Sequence, residues 1–377
     1  MFVEKLSCPV RHYAWGEHAT ADRLPFIPSL LGSEAGDLPW AELWIGAHPS
    51  GSAVIKSTGE PLCKLIQEQP LWMLGVSPHE NSPQPALPFL LKVLCCSEPL
   101  SIQSHPDKAT AAKLHAILPK EFPDANHKPE VLLALSDFRM MAGFRPPKEI
   151  IADLDASPAL RPWRKALSEE PSLEELTRFV LEAESTLLQS MAEQYSQEEH
   201  IGIQAEQFRI LQVKYPGDCG VFFALLLNVF ILKPGEAVFV QANVPHAYLD
   251  GQGIECMANS DNVIRAGLTP KYINRKLLLS TLDFTPRPPS LLRVPTEEGD
   301  FDFACGDDFR LRLIQASPYT RDRNVPAVFI VLEGRATIEA DGNSFVAVRG
   351  TAWFAPASIR SIKIIPSTNT KIAWAET

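Results

Sequence analysis

Three short stretches of the chain collect side chains that can do chemistry. In Ser101-Ile102-Gln103-Ser104-His105 an amide and an imidazole stand two residues apart. Alternate residues of a strand share a face, so Gln103 and His105 are expected to project together, with Ile102 turned the other way. In Asn126-His127-Lys128-Pro129-Glu130, four polar or charged groups stand at the mouth of the apolar run 131–135. Glu130 opens that run, and a carboxylate turned inward there needs a cation, because burying an unpaired charge is costly. The third stretch is Pro245-His246-Ala247-Tyr248, followed by Gly251, Glu255 and a dense polar run over 259–271. Taken singly, each stretch also reads as something ordinary: a half-exposed strand face, a loop entering a strand, an irregular surface loop of turn formers.

Together the three stretches supply Gln103, His105, Glu130 and His246. Two imidazoles, one carboxylate and one amide oxygen suit a borderline divalent ion such as Zn²⁺, one per chain. A single anionic ligand leaves that ion net positive and able to act as a Lewis acid. The basic residues Lys92, Lys128, Arg265 and Lys271 lie in or near the same stretches and point to an anionic substrate. A competing enzyme reading is an iron oxygenase, since His105, Glu130 and His246 alone make a two-histidine, one-carboxylate triad. Gln103 and the basic groups count against it. A binding protein without turnover is the non-enzymatic alternative.

The elements that must position these residues are mostly strands. Residues 53–56, 88–94 and 131–135 are short apolar runs broken by Pro and Gly. Asp107 is placed to cap a short helix with apolar positions at Ala111, Leu114, Ala116 and Ile117. After Phe144, Pro146 and Pro147 open a helical segment to about residue 215. There Ser172 and Glu175 form a capping-box pattern, and Leu173, Leu176, Val180, Ala183, Leu187 and Met191 form one apolar stripe, read as core packing. Residues 221–232 read as buried β-structure. Residues 226–232, Lys233-Pro234-Gly235-Glu236 and 237–240 read as strand, turn, strand. Near the C-terminus, residues 328–333, 336–340, 344–348 and 352–355 alternate with Gly334, Gly342 and Gly350. Residues 226–248 and 329–357 share this texture, which suggests two related β-barrels. All nine histidines lie at or before His246. The C-terminal barrel is therefore expected to bind no catalytic metal and to cover or support the first.

Composition limits the function classes. The 377 residues fit two or three domains. The formal charge of −10 disfavours nucleic acid and anionic membranes. No apolar run is long enough for a signal peptide or a membrane span. Seven cysteines, an odd number without a CxxC pair, fit a reducing cytoplasm.

At these stretches the sequence resembles type I mannose-6-phosphate isomerases, members of the cupin superfamily. The segment HAYLDGQGIECMANSDNVIRAGLTPK (246–271) matches one family signature without an evident break. Residues 122–130 resemble the other, with Phe122 where the pattern begins with Tyr. Tyr13-Ala14-Trp15-Gly16, residues 41–46 and residues 100–108 are also similar, so the likeness runs from about Tyr13 to about Asn274. The resemblance implies a mainly β fold with an α-helical insertion: a cupin (jelly-roll) barrel over 1–145 and 219–285, a helical domain over 146–218, and a second cupin-like β domain over 286–377. It implies zinc on Gln103, His105, Glu130 and His246, and Arg265 as the catalytic arginine. It also implies a sugar-phosphate pocket including Lys92, Lys128, Tyr248, Glu255, Asp261 and Lys271. The sequence leaves the oligomeric state open, with a monomer plausible. Isomerisation needs a base to carry a proton between neighbouring carbons. His127, Lys128, Glu255 and Asp261 are all chemically able, and the sequence leaves the choice open.

Overall fold

A computed structural model describes residues 3–75, 85–293, 300–315, 317–321 and 323–377. The protein is mainly β and cupin-like, with an unbroken run of helices between the strands Phe138–Phe144 and Leu227–Leu232. Its organising strand is His246–Ala258, thirteen residues long. The first half pairs with Phe138–Phe144 and sets His246 opposite Gln103 of Ile102–Ser104. The second half lies between Phe89–Cys96 and Glu130–Ala134, with Glu255 opposite Lys92 on one side and Leu132 on the other. The strand changes partners at Gly251, whose φ is +131°. A Cβ there would stand 2.7 Å from the Asp137 carbonyl oxygen, so the corner admits only glycine.

Strand alternation sorts the side chains. Leu94, Cys96, Leu132 and Ala134 face the barrel interior, and Lys92 and Glu130 share their parity. Val93, Cys95, Val131 and Leu133 face outward. That outer face is covered by a seven-stranded sheet ordered Phe301–Cys305, Phe309–Ile314, Lys371–Glu376, Ala327–Glu333, Ala352–Ala355, Glu4–Ser7, Val54–Ile55. Within Ala327–Glu333, Val328 and Ile330 pack toward the first barrel. Phe329 and Val331 pack the other way, against a four-stranded sheet that includes Arg335–Ala340 and Ile362–Pro366. Burial on both faces explains the unbroken apolar run. Each such side chain contributes about 1.5–3 kcal/mol.

Several expectations change. Glu4–Ser7 sits in the sheet formed chiefly by the C-terminal third, and Ser290–Arg293 pairs with Glu236–Val240 in the first barrel. With Val54–Ile55, which pairs with Glu4–Ser7, three strands thus cross the boundaries drawn at 145 and 286, because alternation identifies a strand without identifying its partner. Leu227–Leu232 and Glu236–Val240 are strands, but each pairs elsewhere, with Phe138–Phe144 and Glu130–Ala134 respectively. Residues 221–232 are only partly strand: Cys219–Phe222 and Phe223–Leu226 are helical turns. Complete burial removes the polar face that would have shown the helical period.

The helical stripe is also broken. Leu173–Glu182 ends at Ala183 in extended backbone, and Ser185–Gln197 starts afresh. The new phase buries Leu188 and leaves Leu187 36% exposed. Ser172 accepts from the Glu175 N–H, but the Glu175 carboxylate accepts from Ser168 instead of closing the capping box. Asp107 caps Lys108–Ile117 as expected, accepting from the Thr110 N–H at 2.8 Å. Among the described residues, no helix is long and apolar enough to cross a membrane.

Candidate active site

The mouth of the first barrel brings His105, Glu130 and His246 together, with one ligand atom from each within 4.8 Å of the others. All three are fully buried. The Nδ1 of His105 lies 2.8 Å from the Asn262 carbonyl, and the Nδ1 of His246 lies 3.0 Å from the Val244 carbonyl. Carbonyls only accept, so each Nδ1 carries the hydrogen and donates, which turns each Nε2 toward Glu130 as an acceptor. The two Nε2 atoms stand 3.5 Å and 2.9 Å from the Glu130 oxygens.

Burial, reinforced by Lys128, pushes the His105 pKa down to about 4, so its ring is neutral near pH 7. Burial works against ionising Glu130, yet His105, Lys128 and His246 outweigh it and hold the carboxyl well below its usual range. Among the described residues, the His105 and His246 Nε2 atoms and Glu130 Oε2 find no hydrogen-bond partner. Lone pairs converging on a buried carboxylate repel one another, and a divalent cation resolves the conflict. Ring nitrogens fixed through backbone carbonyls, with a carboxylate beside them, form a donor set that fits Zn²⁺. Gln103 lines the adjoining cavity, and its Cα faces both His246 and Arg265 across the ladders.

That cavity is about 590 Å³, within the size range of small-molecule sites. Its wall includes Lys92, Gln103, Lys128, Tyr248, Glu255, Asp261, Arg265 and Lys271. Tyr248 donates to Glu130 Oε1 at 3.0 Å. Lys128 Nζ lies 3.7 Å from Glu130 Oε2. Asp261 accepts from Ser50 Oγ at 3.1 Å and faces His48 Nε2 at 3.4 Å. Lys271 is exposed at the rim. Arg265 is half-buried, and among the described residues no side chain pairs with its guanidinium; burial alone lowers its pKa. A desolvated guanidinium without a protein partner is ready for an anionic or developing negative oxygen.

His127 falls outside this wall: its Nε2 lies 3.0 and 2.9 Å from the two Asp308 carboxylate oxygens. The sequence reasoning missed Glu42, Trp44 and His48. Glu42 accepts from Trp44 Nε1 at 2.6 Å and lies 3.6 Å from Lys92 Nζ, which also donates to Glu255 at 2.8 Å. The family-like stretch 41–46 carried a signal for Glu42 and Trp44 but no role. Burial works against the Lys92 charge, yet Glu255 and Glu42 outweigh it and raise its pKa. Lys92 is therefore committed to two buried carboxylates before any substrate arrives. Lys92→Met strands both acids and is expected to cost about 3–5 kcal/mol in urea unfolding. A loss under about 1 kcal/mol would put the bridge in the class of exposed pairs.

The Tyr of the family pattern is here Phe122, buried in an apolar core where no hydroxyl is needed.

Strand pairing and the buried His–Glu–His cluster beside a polar cavity define a cupin-type enzyme barrel. The family profile described as "Phosphomannose isomerase type I, catalytic domain" matches residues 3–147. A mannose-6-phosphate isomerase of Rattus norvegicus is 39% identical over 315 residues, covering 76% of this chain and 74% of the relative. A variant of phosphomannose isomerase from Salmonella typhimurium superimposes with a TM-score of 0.86 at 32% identity, over 100% of this chain and 99% of the other. A zinc-bound mannose 6-phosphate isomerase gives 0.84 at 32% identity, with the same coverage. The chain belongs to the type I phosphomannose isomerase family.

Proposed function

We propose that the protein interconverts mannose 6-phosphate and fructose 6-phosphate, with Zn²⁺ held by Gln103, His105, Glu130 and His246. The observation that carries the metal assignment is the convergence, in a fully buried site, of Nε2 and carboxylate atoms that find no hydrogen-bond partner among the described residues. Zinc bound there supplies a positive charge that polarises the oxygens at C1 and C2 of the open-chain sugar.

The chain's own groups do the rest. The proton on C2 of the aldose passes to C1 through an enediol while the hydroxyl proton on O2 passes to O1, and negative charge builds on the carbonyl oxygen on the way. Arg265, whose guanidinium has no side-chain partner among the described residues, stabilises that charge in a pocket whose walls are already oriented. Lys271 at the rim meets the phosphate. Lys92 stays with Glu42 and Glu255 and keeps that wall rigid. The base is drawn from Lys128, Glu255 and Asp261, which line the cavity; His127 is occupied by Asp308. A positioned base contributes about 10²–10⁴-fold. A three-part division of the chain, with the strand exchanges across its boundaries described above, and a cytoplasmic location belong to the same proposal.

Protein purified without chelator should hold about one zinc per chain. Chelation should abolish turnover, and added zinc should restore it. Full turnover by metal-free protein would remove the metal from the proposal.

A further inference from the structure

We infer that Asp308, carried by the C-terminal β-sheet, is a positioning residue for the active site, acting through His127 on Lys128; this rests on the isomerase reading above. Asp308 lies in the turn between Phe301–Cys305 and Phe309–Ile314, where its N–H donates to the Cys305 carbonyl at 3.0 Å. Cys305 and Phe309 on either side are buried in the same core as Val131, Leu133 and Cys256 of the first barrel. The turn is thus anchored against the strands that carry Glu130 and Glu255. From it, both carboxylate oxygens reach His127 Nε2, at 3.0 and 2.9 Å, and the two side chains are only 22% and 20% exposed.

The segment they hold is the one that delivers the site. Upstream, Asp124 accepts from Ser260 Oγ at 2.8 Å and from the Asp261 N–H at 2.9 Å, and Asn262 Nδ2 donates to the Asn126 carbonyl at 2.8 Å. Downstream, the Pro129 carbonyl accepts from the Ala258 N–H at 3.0 Å. The Asp308 tether falls between these anchors, on the residue next to Lys128. A rotation of the backbone at His127 swings the Lys128 ammonium, which lines the cavity and lies 3.7 Å from Glu130. Small displacements of a positioned group cost large factors in rate. The second β region therefore supports the first at a defined point, by a contact spanning 181 residues of sequence.

The test is a double-mutant cycle on the zinc-loaded full chain with Asp308→Asn, His127→Gln and the pair. Asp308→Asn keeps the side-chain size and removes the charge. It should lower kcat by about tenfold, leave KM within about twofold, and leave zinc content and Tm near the unmodified protein. In the His127→Gln background it should cause no further loss, because the effect passes through His127. Hydrogen exchange over 124–130 should quicken in both single variants whatever the substrate. Unchanged kcat in Asp308→Asn, or losses that multiply in the pair, would overturn the inference, as would unchanged exchange over 124–130. An unmodified chain that fails to isomerise mannose 6-phosphate would overturn the proposed function instead, and the exchange comparison would still decide whether the tether exists.

Discussion

His246→Ala is expected to abolish zinc retention and to lower kcat on the order of 10³-fold or more. His246 is fully buried and anchored on both sides: its ring donates to Val244, and its backbone sits opposite Gln103 and Ala142. Truncation removes one of the three close donors, and Glu130 loses its nearest imidazole, 2.9 Å away. Two remaining close groups do not make a tight zinc site. The alanine fits the strand, so circular dichroism should report a folded protein. Atomic absorption for zinc, run beside steady-state kinetics on the same preparation, reads the effect. A folded variant with stoichiometric zinc and unaltered kcat would remove His246 from the ligand set.

Arg265→Lys is expected to lower kcat by about 10²–10³-fold with little change in KM. Lysine keeps the charge and loses the planar fork that donates two bonds at a fixed spacing. Because the guanidinium meets no side-chain partner among the described residues and lines the cavity beside Gln103, its binding capacity is open to the reacting oxygens. An interaction made only in the transition state appears in kcat, whereas one made to the phosphate in the ground state appears in KM. A pure rise in KM would reassign Arg265 to phosphate binding. Loss of both parameters together with zinc or Tm would reduce it to a structural residue.

His105, Glu130 and His246 were legible in the sequence because their types are rare beside apolar strand runs, and alternation turns Glu130 inward. Arg265 and the lysines were legible as a basic excess in an acidic chain. What pairs with them was not. Lys92 meets Glu255 across 163 residues and His127 meets Asp308 across 181, and no local period encodes a partner at that distance. His127 thus leaves the candidate bases for a reason that only the fold supplies. The strand texture of the C-terminal third was equally plain, yet the entry of Glu4–Ser7 into its sheet was not. Local pattern reports that a strand exists, and the neighbours it takes are decided by packing of both its faces. The helical turns at 219–226 were hidden for the complementary reason, since a segment buried all round shows neither the 3.6 nor the 2.0 period.

The central claim is tested most directly by supplying mannose 6-phosphate to the zinc-restored protein and following fructose 6-phosphate in a coupled assay, with chelated protein in parallel. The account predicts sustained production of fructose 6-phosphate by the zinc form and none above background by the chelated form. Substrate binding without product in the zinc form, or equal rates in both, would contradict it.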